Sequence, residues 1–281
     1  MVMDKRKKAL YTLLKYLGVL LALCVLLFPI YWMIICSFSP TYALTKFPPK
    51  LYPVDASLNN YVQCFKNTKF IRYLFNSIVI STGTMLVTLI IAVFSGYSIS
   101  RFNFPGKRIV QTLIMSVQMF PTVVILLSLY VFYIRLGLLN TYSGVIFADA
   151  TFALPLSIML IRSFYDTVPR ALGEAAYIDG ASRFRTLIQI VFPLVLPGIV
   201  AVCIYTFLNS WDSYMMPSVL LTKHNMKTLP IGISEMFFGE FSNDYGGMMA
   251  FSFVGSLPIL LLFIFFQKHM VAGMTAGAVK G

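Results

Sequence analysis

Two carboxylates, Glu174 and Asp179, frame the stretch Glu174-Ala175-Ala176-Tyr177-Ile178-Asp179-Gly180-Ala181-Ser182. Acidic groups on a helix-forming segment suit the recognition of basic groups on another surface. Ala175, Ala176 and Ala181 are small, so that surface can come close. Gly180 permits the left-handed turn that ends a helix. No nucleophile, base or set of metal ligands converges on the stretch, so its chemistry is contact, not catalysis.

A second set of residues suits solute handling. Asp149 falls near the middle of one apolar run, and Asp212 lies at the end of another, close to Tyr205, Trp211 and Tyr214. Sugars have flat CH faces that stack on aromatic rings, so these five are candidates for lining a path. An aspartate at the bilayer centre costs about 2.5–3.5 kcal/mol on insertion scales, which the apolar residues around Asp149 offset. Asp149 is therefore expected to face the bundle interior, as a structural hydrogen-bonding group or as a path residue. So few ionisable groups in the spans argue against a carrier driven by protons or sodium. Cys24 and Cys203 read as small core residues. Cys36 and Cys64 fall near the same face, and whether they pair is left open. His224 and His269 have no ligand cluster around them, and no metal site is expected.

The elements that must position these residues follow from composition. Of the 281 residues, 58% are hydrophobic and 11% charged. The bilayer is the solvent for such a chain. Six apolar spans are expected. They run from about Leu17 to Cys36, then within Tyr73–Ser100, Ile109–Ile134, Leu136–Ile161, Thr186–Trp211 and Tyr245–Gln267. Six spans put both termini on one side. With the termini inside, 14 of the 22 Lys and Arg residues fall on inner segments, which favours that orientation. The net charge of +12 then reads as topology signal and lipid-headgroup contact, not nucleic-acid binding. Lys5–Lys8 followed by an apolar run resembles a secretory signal, but the run is longer than the 7–15 residues of a signal core. An uncleaved first span is expected.

The expected organisation is an inner segment 1–16, a six-span domain 17–268 with an inner loop at about 165–189, and an inner tail 269–281. Within the loop, Pro169 suits the first turn of a helix, with Asp166 and Thr167 as candidate caps. A second helix is expected over Ala181–Phe192, climbing into the fifth span. Pro121, Pro155, Pro193, Pro197 and Pro258 mark ordinary kinks or bent helices along a path. Gly106-Lys107-Arg108 lacks the earlier glycine and the hydroxyl of a phosphate-cradling loop, so ATP chemistry is not expected in this chain.

The loop also resembles a known family. Glu174-Ala175-Ala176, three residues, Gly180, nine residues, Ile190, one residue and Phe192-Pro193 resembles the EAA loop of ABC-importer permeases. That family usually has leucine where Phe192 stands. Asp179-Gly180-Ala181 is the form common in sugar-uptake members. The ending Val271–Gly281 is similar to the tail of the maltose/maltodextrin-type second permease subunit, and Arg101-Phe102…Phe104-Pro105-Gly106, Gly137–Tyr142 and Leu229–Gly232 match as well.

The resemblance implies an all-α membrane protein of the type I ABC-importer fold, six transmembrane helices with a cytoplasmic coupling helix. It would sit in a bacterial plasma membrane and form half of the path for a sugar or oligosaccharide. Its implied partners are a homologous permease, an ABC ATPase dimer carrying ATP and Mg, and an extracytoplasmic solute-binding protein that meets Phe238–Gly246. Glu174, Ala175, Ala176, Asp179, Gly180 and Ala181 would couple to the ATPase. Gly273, Thr275, Gly277 and Lys280 of the tail would contact it. The chain itself would be neither an enzyme nor a cofactor carrier. A permease for glycerol phosphate, polyamines or another small solute is the alternative, and a secondary transporter stands further off.

Overall fold

The computed structural model describes residues 5–238 and 244–278, with side chains over 11–238 and 244–267. All regular structure among the described residues is helical. A chain dissolved in lipid must satisfy its backbone groups within each segment, which helices do. In order these are α1 (Lys5–Phe38), α2 (Asn59–Lys66), α3 (Thr68–Arg101), α4 (Lys107–Ser116), α5 (Thr122–Arg135) and α6 (Tyr142–Thr167). They are followed by α7 (Arg170–Ile178), α8 (Leu196–Trp211), α9 (Met215–Leu220), α10 (Leu229–Phe237) and α11 (Tyr245–Ala278).

Four stretches are long and apolar enough to cross a membrane alone: Tyr11–Phe38, Thr68–Arg101, Tyr142–Thr167 and Tyr245–Gln267. The other two expected spans are not continuous helices. The third is α4, prolonged by a tight turn to Met119, and then α5 at 97° to it. Pro121 disfavours the helical conformation at Phe120, which is extended at φ −81° and ψ 128°. The fifth consists of Arg183–Thr186, a wide π turn over Leu187–Val191, three more helical residues and, after an 80° bend, α8. Pro193 and Pro197 remove two amide donors one turn apart around that bend. By contrast, Pro155 and Pro258 lie inside unbroken helices.

The fourth span, expected within Leu136–Ile161, starts inside that window at Tyr142 and runs on to Thr167. Gly137 and Asn140 have positive φ, and Thr141 caps α6 by accepting a bond from the Gly144 amide at 3.0 Å. Asn140 Oδ1 also accepts from the Thr222 and Lys223 amides at 2.7 and 2.9 Å, tying this turn to the one after α9. The connection between α1 and α3 contains α2.

The chain divides into two compact units. One holds the residues up to Thr68 with Glu235–Ser256, and the other Lys69–Ser234 with the chain from Leu257. In the first, residues 11–31 of α1 are exposed, an apolar surface left for lipid or another subunit. Cys36 and Cys64 are both buried there as free thiols. Burial pushes the Cys64 thiol up to about 12, so it stays protonated.

In the second unit α6 is the central post. Ile161, Tyr165, Val191, Val195 and Val202 form a dry cluster around its end, and Ile80, Tyr133, Val145, Met216 and Leu220 form another around its start. Two glycines let neighbouring helices close on it. A Cβ at Gly96 of α3 would lie 2.4 Å from Ile161 and 3.2 Å from the Arg162 nitrogen. A Cβ at Gly198 of α8 would lie 2.4 Å from the Phe164 ring. Small residues at helix contacts are the usual device for close approach in lipid.

Candidate functional site: the loop after α6

The loop after α6 is a built projection. Val168 and Pro169 are extended, and α7 follows from Arg170. Pro169 occupies the capping position itself instead of the first turn, and no side chain caps α7. The expected caps belong to the end of α6. Asp166 accepts from Ser100 Oγ at 2.6 Å and pairs with Arg162 at 3.4 Å, while Thr167 Oγ1 donates to the Phe164 carbonyl.

The other end of α7 follows expectation closely. Gly180 has φ +80°. Its amide donates to the Tyr177 carbonyl at 3.1 Å, and the Ala181 amide donates to the Ala176 carbonyl at 2.9 Å. This pair of bonds closes a helix through a left-handed residue and satisfies the last carbonyls. Ser182 then caps the next turn by accepting from the Arg185 amide at 3.3 Å.

Of the six expected contact residues, Glu174, Ala175, Asp179 and Gly180 are exposed, Ala181 is half-buried and Ala176 is buried, so Ala176 packs α7 onto the unit. The structure adds Ile178, whose side chain is 87% exposed between the two carboxylates. With Tyr177, 42% exposed beside it, this gives the projection an apolar tip flanked by charge.

What holds the projection was not assigned from sequence. Arg101, at the end of α3, donates through Nη2 to the Tyr165 and Val168 carbonyls at 2.9 and 2.8 Å. It thereby caps α6 from a different helix. The Arg183 guanidinium lies over the Phe102 ring at 5.1 Å, fixing the far leg of the loop to the same place. A cleft of about 190 Å³ remains between α3, α7 and this leg. A basic residue closing a long apolar helix was the available signal, but its partners are remote in sequence. Truncation of Arg101 to alanine should cost about 1.5–3 kcal/mol at this joint. Proteolysis within 168–182 of the membrane-embedded protein should accelerate, and Arg101→Lys should restore much of the protection.

The candidate path residues do not share one surface. Asp149 is buried and accepts from Ser210 Oγ at 2.8 Å and Ser213 Oγ at 3.1 Å. Both serines lie at the end of α8, so the carboxylate anchors the turn that carries Asp212. Trp211 is 4% exposed and stacks on Phe207 at 5.5 Å. Tyr205 is half-buried, and Asp212 and Tyr214 are exposed. Tyr205 lies on α8, and Asp212 is the residue that ends it. Gly273, Thr275 and Gly277 of the tail continue the α11 backbone. Lys280 and residues 239–243 of the expected binding-protein contact lie outside the described residues.

Residues 88–276, which include the loop and its Arg101 latch, match the family described as binding-protein-dependent transport system inner membrane component. The trehalose/maltose transport system permease protein MalG of Thermococcus litoralis is 33% identical over 279 residues, covering 98% of this chain and 99% of that protein. The fold is shared with a chain of a bacterial ABC transporter involved in import of the acidic polysaccharide alginate, at TM-score 0.82 and 20% identity over 95% of this chain and 99% of that one. A second structure, of a bacterial alginate ABC transporter in complex with an alginate pentasaccharide-bound periplasmic protein, aligns at TM-score 0.67 and 17% identity over 93% of each chain. A family match over most of the chain, with nearly end-to-end agreement with a relative, means that this chain belongs to the family of inner membrane components of binding-protein-dependent transport systems.

Proposed function

We propose that this chain is a permease subunit of an ATP-binding-cassette importer and forms half of the translocation path for a sugar or oligosaccharide delivered by an extracytoplasmic solute-binding protein. The observation that carries the reading is the projection itself: α7 closed by Gly180, latched by Arg101, and presenting Glu174, Ile178 and Asp179 outward. Such a rigid, exposed element transmits force. The sugar assignment is supported by the trehalose/maltose relative.

In this reading both termini and α7 face the cytoplasm. Two ATPase subunits bind ATP and Mg there and grip α7, while the tail around Gly273–Lys280 reaches toward them. A second, homologous permease completes the path. Closure of the ATPases displaces α7, and the latch passes that displacement to α3 and α6. Coupling demands that the projection bind differently in the two ATPase states, since equal binding shifts no equilibrium. Tyr205, Asp212 and Tyr214 are the path candidates, and Asp149 holds the turn that carries Asp212 and Tyr214 through Ser210 and Ser213.

Glu174→Lys reverses charge on an exposed residue and leaves the core untouched. Uptake in whole cells should fall by at least about tenfold, corresponding to about 1.4 kcal/mol or more of lost contact. ATPase copurification should weaken with it, while the level of membrane-inserted permease stays constant. Normal uptake with normal ATPase association would overturn the assignment.

A further inference from the structure

We infer that a polar cleft in the unit of residues up to Thr68 with Glu235–Ser256 is a subsite for a neutral oligosaccharide. The inference rests on the sugar-import reading and adds a place and a charge preference to it. The cleft has a volume of about 460 Å³, within the range of small-ligand sites. It lies at the Phe38 end of α1, which faces the outside in the proposed orientation.

Its walls carry carbohydrate chemistry. Asn59, Gln63 and Asn67, four residues apart along and just beyond α2, supply a stripe of amides, with Asn60 beside it. The side chains of Asn59 and Gln63 make no hydrogen bond among the described residues. Asn60 spends its Nδ2 on the Ser37 and Ser39 carbonyls at 2.9 and 3.4 Å, leaving Oδ1 available. Opposite stands Asp244. Its Oδ1 accepts from Thr41 Oγ1 at 2.8 Å and from the Gly247 amide at 2.9 Å, capping α11, while Oδ2 accepts no bond from the described residues. The half-buried Phe237 ring, set edge-to-face against Phe251 at 5.1 Å, supplies an apolar wall.

A primary amide offers a donor and an acceptor side by side, a match for adjacent hydroxyls of a pyranose. A carboxylate oxygen accepts a further hydroxyl, and a fixed phenyl ring takes the CH face of the sugar. The bland function of Asp244 is helix capping, which uses only one of its oxygens. Charge decides the ligand class. Asp244 is the one acidic residue among the described walls and none of them is basic, so a uronate or sulfonate would meet repulsion there.

The test uses the complete transporter in lipid nanodiscs without its solute-binding protein. Saturation-transfer NMR would be recorded with maltotriose, trehalose and diacetylchitobiose as neutral probes and trigalacturonate as the acidic one. At least one neutral saccharide should show saturable binding, weakened by about tenfold or more in the Asn59→Ala/Gln63→Ala double variant. Both residues are exposed, so the fold tolerates the change. Trigalacturonate should show none. Absence of neutral binding, equal binding in the double variant, or equal binding of trigalacturonate would each overturn the subsite. So would a double variant that keeps saccharide binding but loses the binding protein, which assigns the cleft to a polypeptide. Uptake with the binding protein present is scored separately. Neutral-sugar uptake without cleft binding removes only the subsite, whereas a binding protein that takes no sugar removes the import reading itself.

Discussion

Gly180→Val should reduce uptake by roughly 5- to 30-fold, the factor that corresponds to about 1–2 kcal/mol of strain, while the permease still inserts and purifies. Nothing lies within 4 Å of a Cβ placed at Gly180, so no steric clash enters. The cost comes from φ +80° alone, which a β-branched residue resists. Valine there pulls the chain toward negative φ, and the two bonds to the Ala176 and Tyr177 carbonyls are lost together. α7 then frays at the end that carries Ile178 and Asp179. Gly180→Asn is the informative control, because asparagine visits the left-handed region at low cost and should retain most uptake. Equal loss in both variants would show that side-chain bulk, not backbone geometry, is what the partner rejects.

Gly96→Leu should have the larger effect on the protein itself, abolishing a monodisperse folded species in detergent. The atoms facing Gly96 include the Arg162 nitrogen at 3.2 Å and the Ile158 carbonyl oxygen at 3.3 Å, and backbone cannot step aside as a rotamer can. Overpacking typically costs about 1–3 kcal/mol where neighbours yield, and more where they do not. The same shift would carry α3 away from α6 and pull the Arg101 guanidinium from its two carbonyls. Size-exclusion profiles of a fluorescent fusion, followed on heating, would measure this. Gly96→Ala should fall between wild type and leucine, and a normal profile for leucine would refute the close-packed contact.

The spans, the projection and its glycine end were legible because each rests on a local rule: run length in lipid, and a left-handed residue at a helix end. The bends in the third and fifth spans were not. Proline occurs at Pro121 and Pro193, where the chain turns, and equally at Pro155 and Pro258, where it does not. Tertiary packing chooses between those outcomes, and composition does not encode it. Trp211, a candidate for lining the path, is buried, and its burial was not legible for a related reason. An aromatic residue at a helix end suits an exposed platform or a buried stack, and Phe207 one turn earlier made it the second. Arg101 was visible as a charge marking a boundary, but its acceptors on α6 belong to a part of the chain that only folding brings near.

The 97° bend between α4 and α5 bears on biogenesis. α5 has 14 residues, a rise of roughly 21 Å against a hydrocarbon slab of about 30 Å. Neither half of such a pair is a self-sufficient transmembrane segment at the translocon. α5 rests against Val145 and Ala148 of α6 and against Met216 and Leu220 of α9, which the ribosome delivers later. The third span can therefore reach its final seat only after the downstream chain has emerged, and until then it must be sheltered by lipid, by the insertion machinery or by a chaperone.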